Sequence, residues 1–343
     1  MIHFKRNFDQ IRVLSTIAVL VIHVSSIYLK KEPSLDNFDW WIGAVCFSFV
    51  RWCVPCFVML SGALLISQKH AFDKETSLKH FYKRRFHRIG SSIFFWSVFY
   101  SAFSYARHGQ GSRVLESITL GQPYFHMWYL YMIAMLYIFV PFISAAYYKL
   151  SSESLFLLST LIIFICFADS AIKGLYYTSE SQSTFLLSFV PYIGYFVLGK
   201  LISDSFLRSI SLKKALSGTL LAGVIMVSIS AFSLYVSHPS WMTSLYDYTS
   251  PLIVIQSVLV FWILLQVNLL KHVSDRSFRQ LGELSLGIYL IHPFWIYLFR
   301  KLIGRNDELG ALLNINLEVF LILGLSLVTA LSLSKLPLTK KIV

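Results

Sequence analysis

His23 lies inside the apolar run Ile11–Leu29, and Arg12 precedes it by eleven residues. Eleven residues bring a helix nearly back to its starting face, about 16 Å further along its axis. A neutral imidazole near pH 7 can take the proton of an attacking hydroxyl, or can itself be the nucleophile. An ionisable side chain at membrane depth is costly and has to be paired or functional. Asp9 stands one turn before Arg12, where it can hold the guanidinium. The plainer alternative for His23 is a buried histidine satisfied by a neighbouring helix.

Four other groups of residues could do chemistry. Arg51 precedes Val54-Pro55-Cys56-Phe57, and the same apolar run ends in Ser61-Gly62. Pro55 removes a backbone donor and frees a carbonyl one turn earlier. Arg51 suits developing negative charge in a cavity, or it snorkels to the interface. Lys83-Arg84-Arg85-Phe86-His87-Arg88 is a tight basic cluster suited to polyphosphate. Membrane topology alone explains such a cluster, as does anionic lipid, and on the sequence alone topology is the simpler reading. His126, Trp128 and Tyr129 offer aromatic faces beside a hydrogen-bonding group, which suits a sugar and also an ordinary interfacial anchor. Tyr289 and His292, with Pro293 following, put a further histidine within an apolar segment, for pairing and packing or for direct participation.

These residues have to be positioned by membrane helices. Of 343 residues, 56% are hydrophobic and only 14% charged, against roughly a quarter charged in soluble domains. Mean hydropathy is +0.64. The net charge of +13 is spread between apolar segments and not along one soluble face, which argues against nucleic acid. Spans need roughly twenty apolar residues. The expected architecture is an all-α integral membrane protein, a single domain over 1–343 with no separate soluble domain. It has about ten spans near 11–30, 41–67, 86–105, 127–147, 155–172, 185–202, 213–237, 250–270, 284–303 and 313–335. The fifth and sixth look short, with Gly174, Gly194 and Gly199 at or near their ends.

With the N-terminus inside, the inner segments hold 21 Lys and Arg and the outer loops eight, so both termini are expected in the cytoplasm. The first span lacks a clear small-x-small cleavage site, so it reads as a retained helix in a bacterial inner membrane. Cys53 and Cys56 have redox-motif spacing but lie inside a span, where small residues packing near a proline are the simpler reading. No zinc pattern is visible.

In this order, Asp9-x-x-Arg12 with His23, Val54-Pro55-x-Phe57 to Ser61-Gly62, Arg84-Arg85-x-x-Arg88, His126-x-Trp128-Tyr129 and Ser285-x-Gly287-x-Tyr289-x-x-His292 resemble the membrane acyltransferase-3 family over nearly the whole chain. Each segment alone is weak, and the ordered set on ten spans is specific. The resemblance implies transfer of an acetyl group from cytoplasmic acetyl-CoA, with no metal, to a sugar hydroxyl of a surface or exported polysaccharide or its lipid-linked precursor. It implies catalytic roles for His23, Arg12 and Asp9, and donor binding by Arg84, Arg85, Arg88 and Ser61. Arg51, His126, Trp128, Tyr129, Tyr289 and His292 would then serve the acceptor. A homodimer and a polysaccharide-assembly complex both stay open as partners. Ten spans with internal histidines also suit a transporter of a glycan intermediate, and a catalytically silent assembly subunit would tolerate changes at Arg12 and His23.

Overall fold

Gly62 and Gly199 let two helices cross at backbone distance. A Cβ on Gly62 would overlap the backbone of Phe196, and one on Gly199 the backbone of Met59. Small residues of this kind allow close helix approach in a membrane bundle, where dispersion contacts replace the hydrophobic effect. In the computed structural model the described residues are 2–30, 33–66, 75–108, 112–176, 185–207, 209–237, 239–269, 274–304, 309–337 and 339–342. Lys31, Lys69, Lys74, Arg208, Lys271 and Arg305, part of the charge balance, lie outside them, as do the side chains of Lys5 and Arg113.

The described residues form helices and no strand. In order they are α1 (Ile2–Lys30), α2 (Phe38–Val50), α3 (Cys53–Leu65) and α4 (Glu75–Arg85), then a π-helical turn (Phe86–Gly90) leading into α5 (Ser91–His108). There follow α6 (Ser112–Thr119), α7 (Trp128–Ile138), α8 (Val140–Tyr147), α9 (Ser152–Tyr176), α10 (Val190–Ser203) and α11 (Leu212–Tyr235). The last are α12 (Pro239–Leu245), α13 (Pro251–Gln266), α14 (Asp275–Leu302) and α15 (Gly310–Lys335). Asn37, Ser211 and Ser274 cap α2, α11 and α14 by accepting from backbone N–H groups, as polar N-caps do.

Each of the ten expected segments falls on a helix or a helix pair, but the helices differ in length. Among the described residues six stretches are long and apolar enough to cross a membrane, and α7 with α8 would make a seventh. That pair is bent by 56° where Pro141 opens α8. The segment at 155–172, expected to be short, belongs to the 25-residue α9. The next one is short as expected, because α10 has 14 residues.

The helix α1 is the axis of the bundle and packs against α2, α3, α13, α14 and α15. Its start is pinned to the end of α13. Gln10 donates to the carbonyls of Leu264 (3.1 Å) and Val267 (2.7 Å) and accepts from Leu269 N–H (2.8 Å), while Asn7 donates to Leu265 O (2.6 Å). These side chains satisfy carbonyls that a helix end leaves open. Its other half is held by Arg300, which pairs with the buried Glu318 at 2.6 Å and donates to Val24 O at 3.2 Å. By contrast α9 and α15 leave most of their apolar surface uncovered, as with Leu157, Phe164, Phe320 and Val328.

Candidate active site

The helix α1 carries Arg12 into one chamber and His23 into another. The first, about 420 Å³, is lined by Arg12, Ser61, Arg85, Arg88, Tyr129 and Tyr289 among others. Arg12 is held there by an ion pair with Asp9 on the preceding turn. Tyr137 donates to Ser61 Oγ at 3.2 Å. Arg85 stacks over the rings of Phe81 (5.5 Å) and Tyr137 (5.7 Å), and its buried Nε has no hydrogen-bond partner among the described residues. A guanidinium lining a chamber beside two further arginines suits an anionic or polar ligand. The π-helical turn of Phe86–Gly90 sets where Arg88 points after Arg85; such turns often mark functional sites.

The second chamber, about 560 Å³, is lined by His23, Lys30, Arg51, His126 and Trp128, closed by Tyr192, Tyr246, Asp247 and Tyr248, and reaches Tyr289. Tyr289 therefore lines both chambers. Arg51 sits at the break between α2 and α3 that Pro55 helps to make. It does not snorkel. Its Nε and Nη2 donate to Tyr246 O at 2.9 and 2.6 Å, and its guanidinium covers the Tyr248 ring at 4.1 Å. It has no carboxylate partner among the described residues.

Three histidines meet at the second chamber, where His23 and His126 line it and His292 packs behind them. His23 stacks on His292 with ring centroids 5.2 Å apart, and His292 stands edge-on to His126 at 5.6 Å. His126 and His292 are buried. Pro293 explains the orientation of His292. It has no N–H, so α14 loses backbone donors around it. The Tyr289 carbonyl, four residues earlier, receives a bond from His292 Nδ1 instead, at 2.6 Å. In its neutral form this leaves His292 Nε2 as an acceptor, and that atom, like both ring nitrogens of His126, has no partner among the described residues. Tyr289 Oη donates to the carbonyl of His126, tying α14 to the loop before α7. Despite the gathering of imidazoles, no group of three or more His, Cys, Asp or Glu among the described residues is arranged to hold a metal ion. Cys53 and Cys56 are free and buried.

The structure thus gathers Arg12, Asp9, Ser61, Arg85 and Arg88 at one chamber, and His23, Arg51, His126, Trp128 and His292 at or beside the other. Two expectations shift. Tyr129, grouped with the acceptor residues by its neighbour Trp128, lines the Arg12 chamber, because adjacent residues on a helix point about 100° apart. Arg84 turns away from that chamber and lines a separate basic cavity of about 880 Å³, which Arg88 also lines. Tyr192, Tyr246, Asp247 and Tyr248 were not singled out from the sequence. The aromatic-acid-aromatic run Tyr246-Asp247-Tyr248 just before α13 is a signal for three of them, and Tyr192 carries none.

The bundle of membrane-length helices thus holds two chambers that share Tyr289, one with three arginines in its lining and one rich in aromatic rings. The sequence model of the acyltransferase-3 family, described as an acyltransferase domain, matches residues 5–335. The chain belongs to that family, and acyl transfer at a membrane is its general activity. No curated protein sequence and no solved structure matches it significantly.

Proposed function

We propose that the protein O-acetylates a sugar hydroxyl of a surface or exported polysaccharide, or of its lipid-linked precursor, using acetyl-CoA from the cytoplasmic side of a bacterial inner membrane. The observation that carries this is the pair of chambers sharing Tyr289, with Arg12 in one and His23 in the other on a single helix. The chamber of Arg12, Arg85 and Arg88 takes the donor arm from the cytoplasm. The chamber of Arg51, Trp128, Tyr192 and Tyr248 takes the sugar from the outer side. Aromatic walls beside hydrogen-bonding groups suit a carbohydrate.

His23 takes the proton of the acceptor hydroxyl as its oxygen attacks the thioester carbonyl. Arg51, whose Nη1 makes no bond among the described residues, stabilises the oxyanion of the tetrahedral intermediate. The carbon–sulfur bond breaks, and the proton on His23 passes to the leaving thiolate. Asp9 fixes Arg12 at the donor mouth, and His292 supports the His23 ring by stacking.

A deletion strain tests the reaction class. An acetyltransferase deletion leaves normal polymer lacking ester acetyl groups, read by NMR of the purified polysaccharide. Loss or trapping of the polymer itself would point to a transporter instead.

A further inference from the structure

The segment after α15 is folded back and docked. Thr339 Oγ1 donates to Leu333 O at 2.6 Å, and the backbone N–H groups of Lys340 and Ile342 donate to Leu336 O (2.9 Å) and Thr339 O (3.0 Å). The Ile342 side chain is buried, and its carbonyl accepts from the indole of the buried Trp96 on α5 at 2.9 Å. This docking brings Lys340 and Lys341 to the rim of the 880 Å³ cavity, with Lys335 from the end of α15. Lys83, Arg84 and Arg88 reach the same cavity from α4 and the π-helical turn, and among the described residues Glu283 is the one acidic residue lining it. The three C-terminal lysines are exposed and make no salt bridge among the described residues.

Six cations from segments some 250 positions apart in sequence repel one another unless a polyanion sits among them. Attraction to anionic lipid needs only exposed lysines on a loose segment. It does not call for a backbone pinned by Trp96 and a buried Ile342. Arg88 lines both this cavity and the Arg12 chamber, so a ligand with phosphates here can extend an arm toward the thioester position.

We infer that Lys335, Lys340 and Lys341 close the binding site for the phosphorylated nucleotide end of the donor, opposite Arg84 and Arg88. The inference rests on the proposed use of a coenzyme A thioester. It adds that the docked C-terminal segment recognises the phosphates, the ribose 3′-phosphate above all, while the arm runs past Arg88 into the membrane.

The test is direct binding of CoA and of 3′-dephospho-CoA to the purified full chain in nanodiscs. The proteins compared are wild type, the Lys340→Gln/Lys341→Gln double variant, and Lys335→Gln. Loss of a charge-assisted phosphate contact should weaken CoA binding by about tenfold in the double variant. Binding of 3′-dephospho-CoA should weaken much less, and Lys340→Arg/Lys341→Arg should restore CoA affinity. Trp96→Phe, which removes the donor to Ile342 O, should weaken CoA in the same direction. Equal CoA binding by wild type and all the Gln variants would overturn the inference and leave the proposed reaction standing. No CoA binding by the wild type would overturn both. Variants that keep CoA affinity but lose binding to phosphatidylglycerol vesicles would assign the lysines to lipid and overturn it too.

Discussion

The two chambers solve opposite problems with different side chains. The chamber of Arg12 sets three cations in a largely apolar wall: Arg12 steadied by Asp9, Arg85 with an unpaired buried Nε, and Arg88 shared with a larger basic cavity. The chamber of His23 is built from aromatic rings with one lining arginine seated on Tyr246 O and Tyr248. Charge concentrated at one end suits capture of a strongly anionic ligand from water. Rings with a few placed polar groups suit a neutral, hydroxyl-rich ligand whose orientation matters more than its charge. Substitutions in the two chambers should therefore fail in different kinetic parameters, and that difference is open to test.

The largest effect is expected at the junction. His23→Ala should lower acetyl transfer by about a thousandfold while the protein inserts normally, in line with the loss of a general base. Steady-state transfer in membranes, normalised to immunodetected protein, checks this, and His292→Ala should cost clearly less. In the aromatic chamber, Arg51→Gln should lower kcat by about a hundredfold with little change in donor KM, as for a lost oxyanion donor. An equal rise in donor KM would blur the distinction between the chambers. In the basic chamber, Arg85→Gln should do the reverse, raising donor KM by about tenfold with kcat nearly kept.

The smallest effect sharpens the junction itself. Pro293→Ala restores an N–H that can bond the Tyr289 carbonyl, competing with His292 Nδ1. A fall of about threefold in kcat is expected, since a net hydrogen bond contributes about 1 kcal/mol and the ring can still stack. Proton NMR of labelled histidine should show the His292 ring signals moving. Unchanged signals would mean that the carbonyl does not orient the ring.

What could be read in the sequence divides along the same line. Arg12 and His23 lie on one helix, so spacing alone gave their shared stripe and axial separation, and the structure puts them in adjoining chambers. The partner of Arg12 was equally local, three residues away in Asp9. The sequence around Arg51 does not choose between cavity and interface, because the choice depends on Tyr246 and Tyr248, some 195 positions further on. Helix geometry turns Trp128 about 100° from Tyr129 and Arg84 as far from Arg85, but which cavity each side chain meets depends on where neighbouring helices lie, which no local pattern encodes. Helix lengths were only partly legible: hydropathy marked the apolar segments but not the bend between α7 and α8, nor the full extent of α9.

The central claim is that donor and acceptor approach His23 from opposite ends of the bundle. Sealed vesicles containing the protein, with labelled acetyl-CoA supplied only on the face of Arg84 and Arg88 and acceptor glycan only on the face of Lys30, test it most directly. Wild type should pass label to the glycan across the sealed membrane, and His23→Ala should not. Undiminished transfer by His23→Ala, or transfer only when both substrates share one face, would contradict the account.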